Sequence, residues 1–287
     1  MQNRPDLVLR RKVKQLDNGL HFISGLPRAG STLLAALLRQ NPRVHAGMTS
    51  PVGSLFSALL REMSQQNETA VFIDNDQRQA VLQSVFDAFY KDIHPTKIVF
   101  DTNRLWTSKL PTLTTMYPQA KVICCVRHVP WILDSIERLI RRNSFELSKI
   151  FSFEAGGTVY SRVEGLSAGN GMVGFAWNAL REAWFGEQAD RLLLVTYETL
   201  TETPQRALDA IYDFIGAPRF THDLDNVHYE EATEFDARLG TPGLHAVGNR
   251  VAATARPTLL PPDLFRRFEP DSFWRDASVN LNGVRVV

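Results

Sequence analysis

Cysteine is nearly absent. Two of the 287 residues are cysteine, Cys124 and Cys125, and they stand side by side in an apolar run. Neighbours on a strand point to opposite faces, so the two are unsuited to bridging each other, and a disulfide framework is excluded. That scarcity predicts a reducing compartment. Long apolar runs are missing as well: no stretch approaches the ~20 residues that span a bilayer. Residues 1–16 are polar and basic and lack the apolar core of a signal peptide. Together these absences predict a soluble, cytoplasmic protein without a membrane span. An excess of one charge is also lacking. The chain has 32 Lys and Arg against 31 Asp and Glu, a formal net charge of +1. No general argument for nucleic acid or an anionic membrane follows, and any anion site must come from a local cluster. There is no internal repeat, low-complexity run, clear linker or metal-ligand cluster, so the expected chemistry needs no metal.

What is present centres on residues 20–40. An apolar run at 20–23 leads into Ser24-Gly25-Leu26-Pro27-Arg28-Ala29-Gly30-Ser31-Thr32, and a helical pattern follows at 31–40. This predicts strand, phosphate-cradling loop and helix. Gly25 and Gly30 let the backbone turn tightly and approach a ligand. Loop N–H groups and the positive end of the new helix then form an anion site. The spacing from Gly25 to Thr32 is that of a P-loop with one change. An ATP-binding loop has Lys directly after the second glycine; here Ser31 stands there and the loop's only cation is Arg28. The loop suits a 5′-phosphate carrying one further anionic group better than it suits ATP.

Further strands are predicted at 43–47, 97–101, 121–126 and 191–196. Helices are predicted at 51–63, 76–90, 106–117, 131–142 and 175–188, with another ending at Gly216. Leu55, Leu59 and Met63, and Val81, Val85, Phe86 and Phe89, are expected to face inward. Strands alternating with helices predict an α/β fold: a single doubly wound, mostly parallel sheet with helices on both faces. One domain is expected, with a core at 20–216 and an irregular extension at 217–287. In open α/β sheets ligands sit at the carboxyl ends of strands. Asp101-Thr102-Asn103-Arg104 and Arg127 end two of them, and Ser135 follows Arg127 by eight residues. The stretch 143–171 is broken by glycines and reads as a long loop able to act as a lid.

Pro27-Arg28-Ala29-Gly30-Ser31-Thr32-Leu33-Leu34 resembles the 5′-phosphosulfate loop of sulfotransferases. Val126-Arg127-His128-Val129-Pro130 with Ser135 resembles the element that holds the donor's 3′-phosphate in that family, which usually has Asp where His128 stands. Tyr197-Glu198-Thr199-Leu200 and Phe214-Ile215-Gly216 are similar to later family segments. The resemblance covers about 20–216 and leans toward the tyrosylprotein and bacterial branches. It implies a P-loop NTPase-like fold and transfer of a sulfuryl group from 3′-phosphoadenosine 5′-phosphosulfate to a hydroxyl acceptor: a peptide tyrosine, a sugar, or a lipid or natural-product alcohol. It places Pro27, Arg28, Ala29, Gly30, Ser31, Thr32, Arg127 and Ser135 at the donor, with Arg28 supplying charge to the moving group. Tyr197 either contacts the nucleoside or packs as a core tyrosine. Arg250 and Arg256 are candidates for the late basic segment that covers the donor, and 143–171 for shaping the acceptor site.

The tyrosylprotein branch carries its glutamate base soon after the first helix, where this chain has Gly47-Met48-Thr49. Asp101 is the preferred substitute and His45 the alternative, although Asp101 would equally serve to orient Arg28 or Arg104. A homodimer is compatible with the family. A P-loop kinase and a nucleotide-binding protein without catalysis stand as alternative readings.

Overall fold

A computed structural model of the chain describes residues 19–93, 96–146, 148–150, 157–229, 233–253 and 255–287. Residues 1–18, read above as polar and basic, lie outside the described residues. Among the described residues one sheet has six strands: β1 (Leu20–Gly25), β2 (Val44–Ala46), β3 (Ile98–Thr102), β4 (Val122–Val126), β5 (Leu192–Thr196) and β6 (Arg285–Val286). Their order is β2-β3-β1-β4-β5-β6, and every neighbouring pair is parallel. Helices fill the crossovers: α1 (Ser31–Leu38), α2 (Val52–Glu62), α3 (Asn75–Phe89), α4 (Leu110–Met116), α5 (Val129–Arg142), α6 (Val159–Ser167), α7 (Met172–Phe185), α8 (Tyr197–Glu202) and α9 (Pro204–Ile215). Two more, α10 (Thr233–Arg238) and α11 (Pro262–Phe268), follow before β6. No described helix is long and apolar enough to cross a membrane.

Every residue of β1 and of β4 is buried. Successive strand side chains point to opposite faces, so both faces of the sheet's centre are covered. This is the doubly wound α/β sheet that the alternation of elements predicts. β1 lies between β3 and β4. The chain leaves β1 toward β2 on one side and crosses later to β4 on the other. The loops at the strands' carboxyl ends therefore part, and a crevice opens there. Cys124 and Cys125 are both free and fully buried on β4. Burial pushes the Cys125 thiol up to about 12, so it is no nucleophile near neutral pH.

Local packing departs from the sequence pattern in several places. On α2 the buried positions are Val52, Gly53 and Phe56, while Leu55 is 49% exposed. On α3, Leu82 and Phe86 are buried, whereas Val81 and Phe89 are exposed. In both helices the covered stripe is narrower than the apolar pattern, because only one neighbouring layer packs on it. The helix predicted at 106–117 divides into a 3₁₀ turn, Arg104–Lys109, and α4. Pro111 has no N–H to extend the ladder across that junction.

The extension at 217–287 is more regular than its pattern suggests. The Thr196 N–H donates to the Val287 carbonyl (2.8 Å) and the Val287 N–H to the Leu194 carbonyl (2.9 Å), which seats β6 at the sheet edge. Leu260, Leu264, Phe268, Trp274 and Val284 join the hydrophobic core. Residues 224–229 and 233–251 belong to an excursion whose two feet are tied by main-chain bonds. The Val227 N–H donates to the Asn249 carbonyl (2.7 Å) and the Val251 N–H to the Leu224 carbonyl (2.8 Å).

His21 on β1 has a consequence for acid stability. It is buried, and its Nδ1 accepts the Lys121 N–H at 3.2 Å. Burial first, and the Lys121 charge second, hold its pKa down from 6.5 to about 4. Below pH 6.5 the unfolded chain binds a proton that the native state refuses, so stability falls as pH falls through that window. Between pH 6.5 and 4 the loss from this group is about 3 kcal/mol. Denaturant unfolding across that range should show a shallower pH slope in His21→Gln, and an unchanged slope would exclude His21 as the cause.

Candidate active site

β1 ends at Gly25 with φ 99°, and α1 begins after Gly30 with φ 95°. No side chain caps α1, so its first N–H groups and the positive end of its dipole face the hollow of the 25–30 loop. The Leu26 N–H donates to the Cys125 carbonyl at 2.8 Å and pins the loop to β4.

Arg28 is the only non-glycine residue with positive φ (55°) among those described. Its Nε donates to Ser135 Oγ on α5 (3.1 Å), and its Nη1 donates to the Leu244 carbonyl. Arg127, one residue past β4, donates from Nη1 to the Arg28 carbonyl at 3.4 Å. Its guanidinium lies over the Tyr197 ring, 4.0 Å from the centroid. Burial, then mutual repulsion, holds the Arg28 pKa below the ordinary arginine value, and burial does the same for Arg127. Both stay charged. Neither forms an ion pair with a carboxylate among the described residues. Two inward-held guanidiniums with no carboxylate in ion-pair contact leave a positive field that an anionic ligand would neutralise.

The cavity here has a volume of about 340 Å³. Its floor is the phosphate loop with Pro27, Arg28, Gly30, Ser31 and Thr32. Thr102 at the end of β3 with Asn103 and Arg104 just past it, Arg127 after β4 and Tyr197 after β5 form its sides, and residues 244–248 and 250–252, at and just past the end of the excursion, form its roof. A second cavity of about 350 Å³ adjoins it, sharing Arg127, Tyr197 and Thr201 and adding Trp131 and Arg256. Arg250 lines the first, and Arg256 pairs with buried Asp134 at 3.0 Å.

Other sequence-predicted residues lie elsewhere. Asp101 is fully buried and absent from the cavity wall. It accepts from Ser50 Oγ (2.5 Å), Tyr90 Oη (2.6 Å) and Trp106 Nε1 (2.8 Å). Strand side chains alternate, so Thr102 rather than Asp101 faces the cavity. Burial pushes the Asp101 carboxyl pKa up while its three donors pull the other way. The geometry ties Asp101 to Ser50 before α2, Tyr90 after α3 and Trp106, away from the cavity wall and without a hydrogen bond to Arg28 or Arg104 among the described residues. His45, on β2, packs its half-buried ring edge-on against Tyr90 at 5.7 Å and is not in the wall either. The Ala29 side chain is core, and Ser135 meets the site only through Arg28.

Of the stretch read as a lid, residues 147 and 151–156 lie outside the described residues. Its α6 is held to α5 by the Arg162–Glu137 ion pair (2.7 Å). None of its described residues lines the cavity, although the next residue, Met172, does.

Sequence reasoning missed a pair in the roof. His245 lines the cavity, and its Nδ1 lies 2.5 Å from Oδ1 of Asp236, a carboxylate that is 2% exposed. Asp236 Oδ2 accepts the His245 main-chain N–H at 2.8 Å. The Gly243-Leu244-His245 run is visible in the sequence, but no period or spacing there connects it to Asp236.

A model of the sulfotransferase family matches residues 21–222. Protein-tyrosine sulfotransferase 1 of Danio rerio is 26% identical over 212 residues, which cover 70% of this chain and 54% of that protein. The Homo sapiens protein of the same name is 28% identical over 117 residues, 39% of this chain and 32% of that one. The chain thus aligns with about half, or less, of the length of these relatives. Among solved structures, the sulfotransferase domain from the curacin biosynthetic pathway superposes with a TM-score of 0.56 at 17% identity, over 88% of this chain and 96% of that one. The sulfotransferase domain of the Synechococcus PCC 7002 olefin synthase gives 0.50 at 20% identity, over 96% and 99%. At such identities these two likenesses speak for the fold, whereas the family match runs from β1 through α9 and beyond. The chain belongs to the sulfotransferase family.

Proposed function

We propose that the protein transfers a sulfuryl group from 3′-phosphoadenosine 5′-phosphosulfate to a hydroxyl acceptor by in-line displacement. The observation that carries this reading is the pair of inward-held guanidiniums without a carboxylate partner, Arg28 and Arg127, at a glycine loop that lacks the P-loop lysine. In the reaction the bond from sulfur to the bridging phosphate oxygen breaks as the bond from sulfur to the acceptor oxygen forms. The acceptor proton passes to a base, and the products are a sulfate ester and 3′-phosphoadenosine 5′-phosphate.

The chain's own groups suit these demands. The loop N–H groups and the start of α1 receive the 5′-phosphate, with Ser31 and Thr32 beside them. Arg28 faces the charge that develops on the leaving phosphate. Arg127, with Ser135 behind Arg28 and Arg256 across the adjoining cavity, receives the 3′-phosphate. Tyr197 and Trp131 offer ring faces to the nucleoside there. A kinase would need Lys in place of Ser31, and nothing at the site favours that reading.

The names of the relatives make a peptide tyrosine the first acceptor to try, beside a sugar and a long-chain alcohol. Calorimetry with 3′-phosphoadenosine 5′-phosphate, followed by labelled transfer to that panel, tests the reading. Binding with transfer supports it. Binding without transfer leaves a nucleotide-binding protein, and magnesium-dependent binding of ATP in its place supports a kinase.

Arg127 gives a sharper check on the donor site. Arg127→Ala is expected to weaken the product by about 1.5–3 kcal/mol, the range for a hydrogen bond to a charged group. Adenosine 5′-phosphate, which lacks the 3′-phosphate, should bind almost as it does to the wild type. Equal weakening of both ligands by calorimetry would overturn the assignment.

A further inference from the structure

We propose that His245 is the general base, with Nε2 taking the acceptor proton, and that Asp236 is the residue that positions it. The inference rests on the sulfotransferase reading and names a catalytic residue for it in the roof of the cavity rather than on a strand end.

Four observations carry it. His245 lines the same cavity as Arg28, Ser31 and Arg104. Asp236 holds it twice, through Nδ1 at 2.5 Å and through the main-chain N–H at 2.8 Å. A buried carboxylate that accepts a hydrogen bond from Nδ1–H leaves the lone pair on Nε2, the tautomer a base needs. Nε2 has no hydrogen-bond partner among the described residues, and the residue that carries it lines the cavity. Finally, Arg28 donates to the carbonyl of Leu244, the residue just before the histidine. The donor loop and the base are therefore held in register by one bond.

The surroundings agree. Asp236 from α10 favours the protonated ring, while Arg28 from the loop, Arg104 from the end of β3 and burial oppose it. Burial is the largest influence, and the pKa lies below the ordinary histidine value. The edge-on Phe235 ring at 5.6 Å closes the remaining side. The imidazole is neutral near pH 7 and ready to accept a proton. During transfer the acceptor O–H bond breaks, its electron pair forms the new bond to sulfur, and its proton goes to Nε2. The imidazolium is stabilised by Asp236 and later releases the proton to solvent. The rival carboxylate, Asp101, is closed off by its three donors.

The alternative is that the pair merely staples the roof. His245→Asn separates the two, because its side-chain amide can still donate to Asp236 while Nε2 is gone. The full chain is assayed with labelled donor and two probes, 4-methylphenol and 4-nitrophenol, the second already ionised at mildly alkaline pH. His245→Asn is expected to bind 3′-phosphoadenosine 5′-phosphate within about twofold of wild type. It should lose about 10²–10⁴-fold in transfer to 4-methylphenol, the range for general-base help, and far less to 4-nitrophenol. The acid limb of the pH–rate profile should vanish, with these phenols or with any panel acceptor the wild type sulfates. Asp236→Asn, which favours the other tautomer, should keep product binding and shift that limb. Wild-type rates in His245→Asn, or equal losses with both phenols, overturn the proposal. A wild-type chain that binds the product yet sulfates no probe and no panel member overturns the sulfotransferase reading itself, which is a distinct outcome.

Discussion

Arg28→Ala is expected to slow sulfuryl transfer by about 10²-fold or more, about 2.7 kcal/mol, the scale for removing one preorganised donor aimed at developing charge. The backbone gives an independent reason to expect a role for this side chain. At φ 55° a non-glycine residue is strained, by about 1 kcal/mol or more. Glycine would relieve that strain, yet the position holds the loop's only cation. Its fork is spread between Ser135 on one side and the Leu244 carbonyl on the other, so it bridges the donor loop, α5 and the roof. Alanine removes the charge and both bonds. Arg28→Lys keeps a charge but loses the fork and should recover only part of the rate. Arg28→Gly is the control for folding: it should melt no lower than Arg28→Ala and still transfer slowly. Steady-state kinetics beside thermal melts would read all three, and a wild-type kcat in Arg28→Ala would take the residue out of the mechanism.

Gly25→Ala is expected to destabilise the fold by about 3 kcal/mol or more, from left-handed strain and overpacking acting together. Gly25 sits opposite Cys125 in the β1–β4 register. A Cβ at Gly25 would lie 2.3 Å from the Cys125 carbonyl oxygen and 2.7 Å from its nitrogen. Those are backbone atoms of the strand that also carries the Leu26 bond, so nothing flexible can yield. Either β1 and β4 part or the loop shifts, and with it the hollow before α1. Because native stabilities are about 5–15 kcal/mol, much of the total is at stake. Urea unfolding measures it, and a change under about 1 kcal/mol would mean that the loop has room to move.

The parts of the molecule legible in the sequence are those where one physical pattern dominates. β4 reads as a strand because five consecutive apolar residues are buried on both faces. The strand, loop and helix around Gly25 and Gly30 are legible because two glycines meet a backbone requirement. Arg127 and Ser135 both reach Arg28 because α5 follows β4 within three residues. Where tertiary packing decides, the pattern misleads. Asp101 and Thr102 differ by one position, and strand alternation puts Thr102, not the carboxylate, in the cavity wall. β6 has two residues, too few for any period to register. His245 depends on a carboxylate nine residues earlier on a six-residue helix, a partnership created by the fold of the excursion.

The tied feet of residues 224–251 bear on how such a chain can change. Two main-chain bonds close that loop at its feet, and none of the strand pairings of the sheet runs through it, so a change in its length bears little on the sheet beneath. Lengthening a closed flexible loop costs only about 0.6 kcal/mol per doubling. Insertions or deletions between the feet that spare Asp236, Leu244 and His245 would leave the donor pocket's floor and sides intact while reshaping the surface above it. The parts of the excursion away from Asp236, Leu244 and His245 are therefore the place where a common donor machinery can be fitted to new acceptors without rebuilding the core.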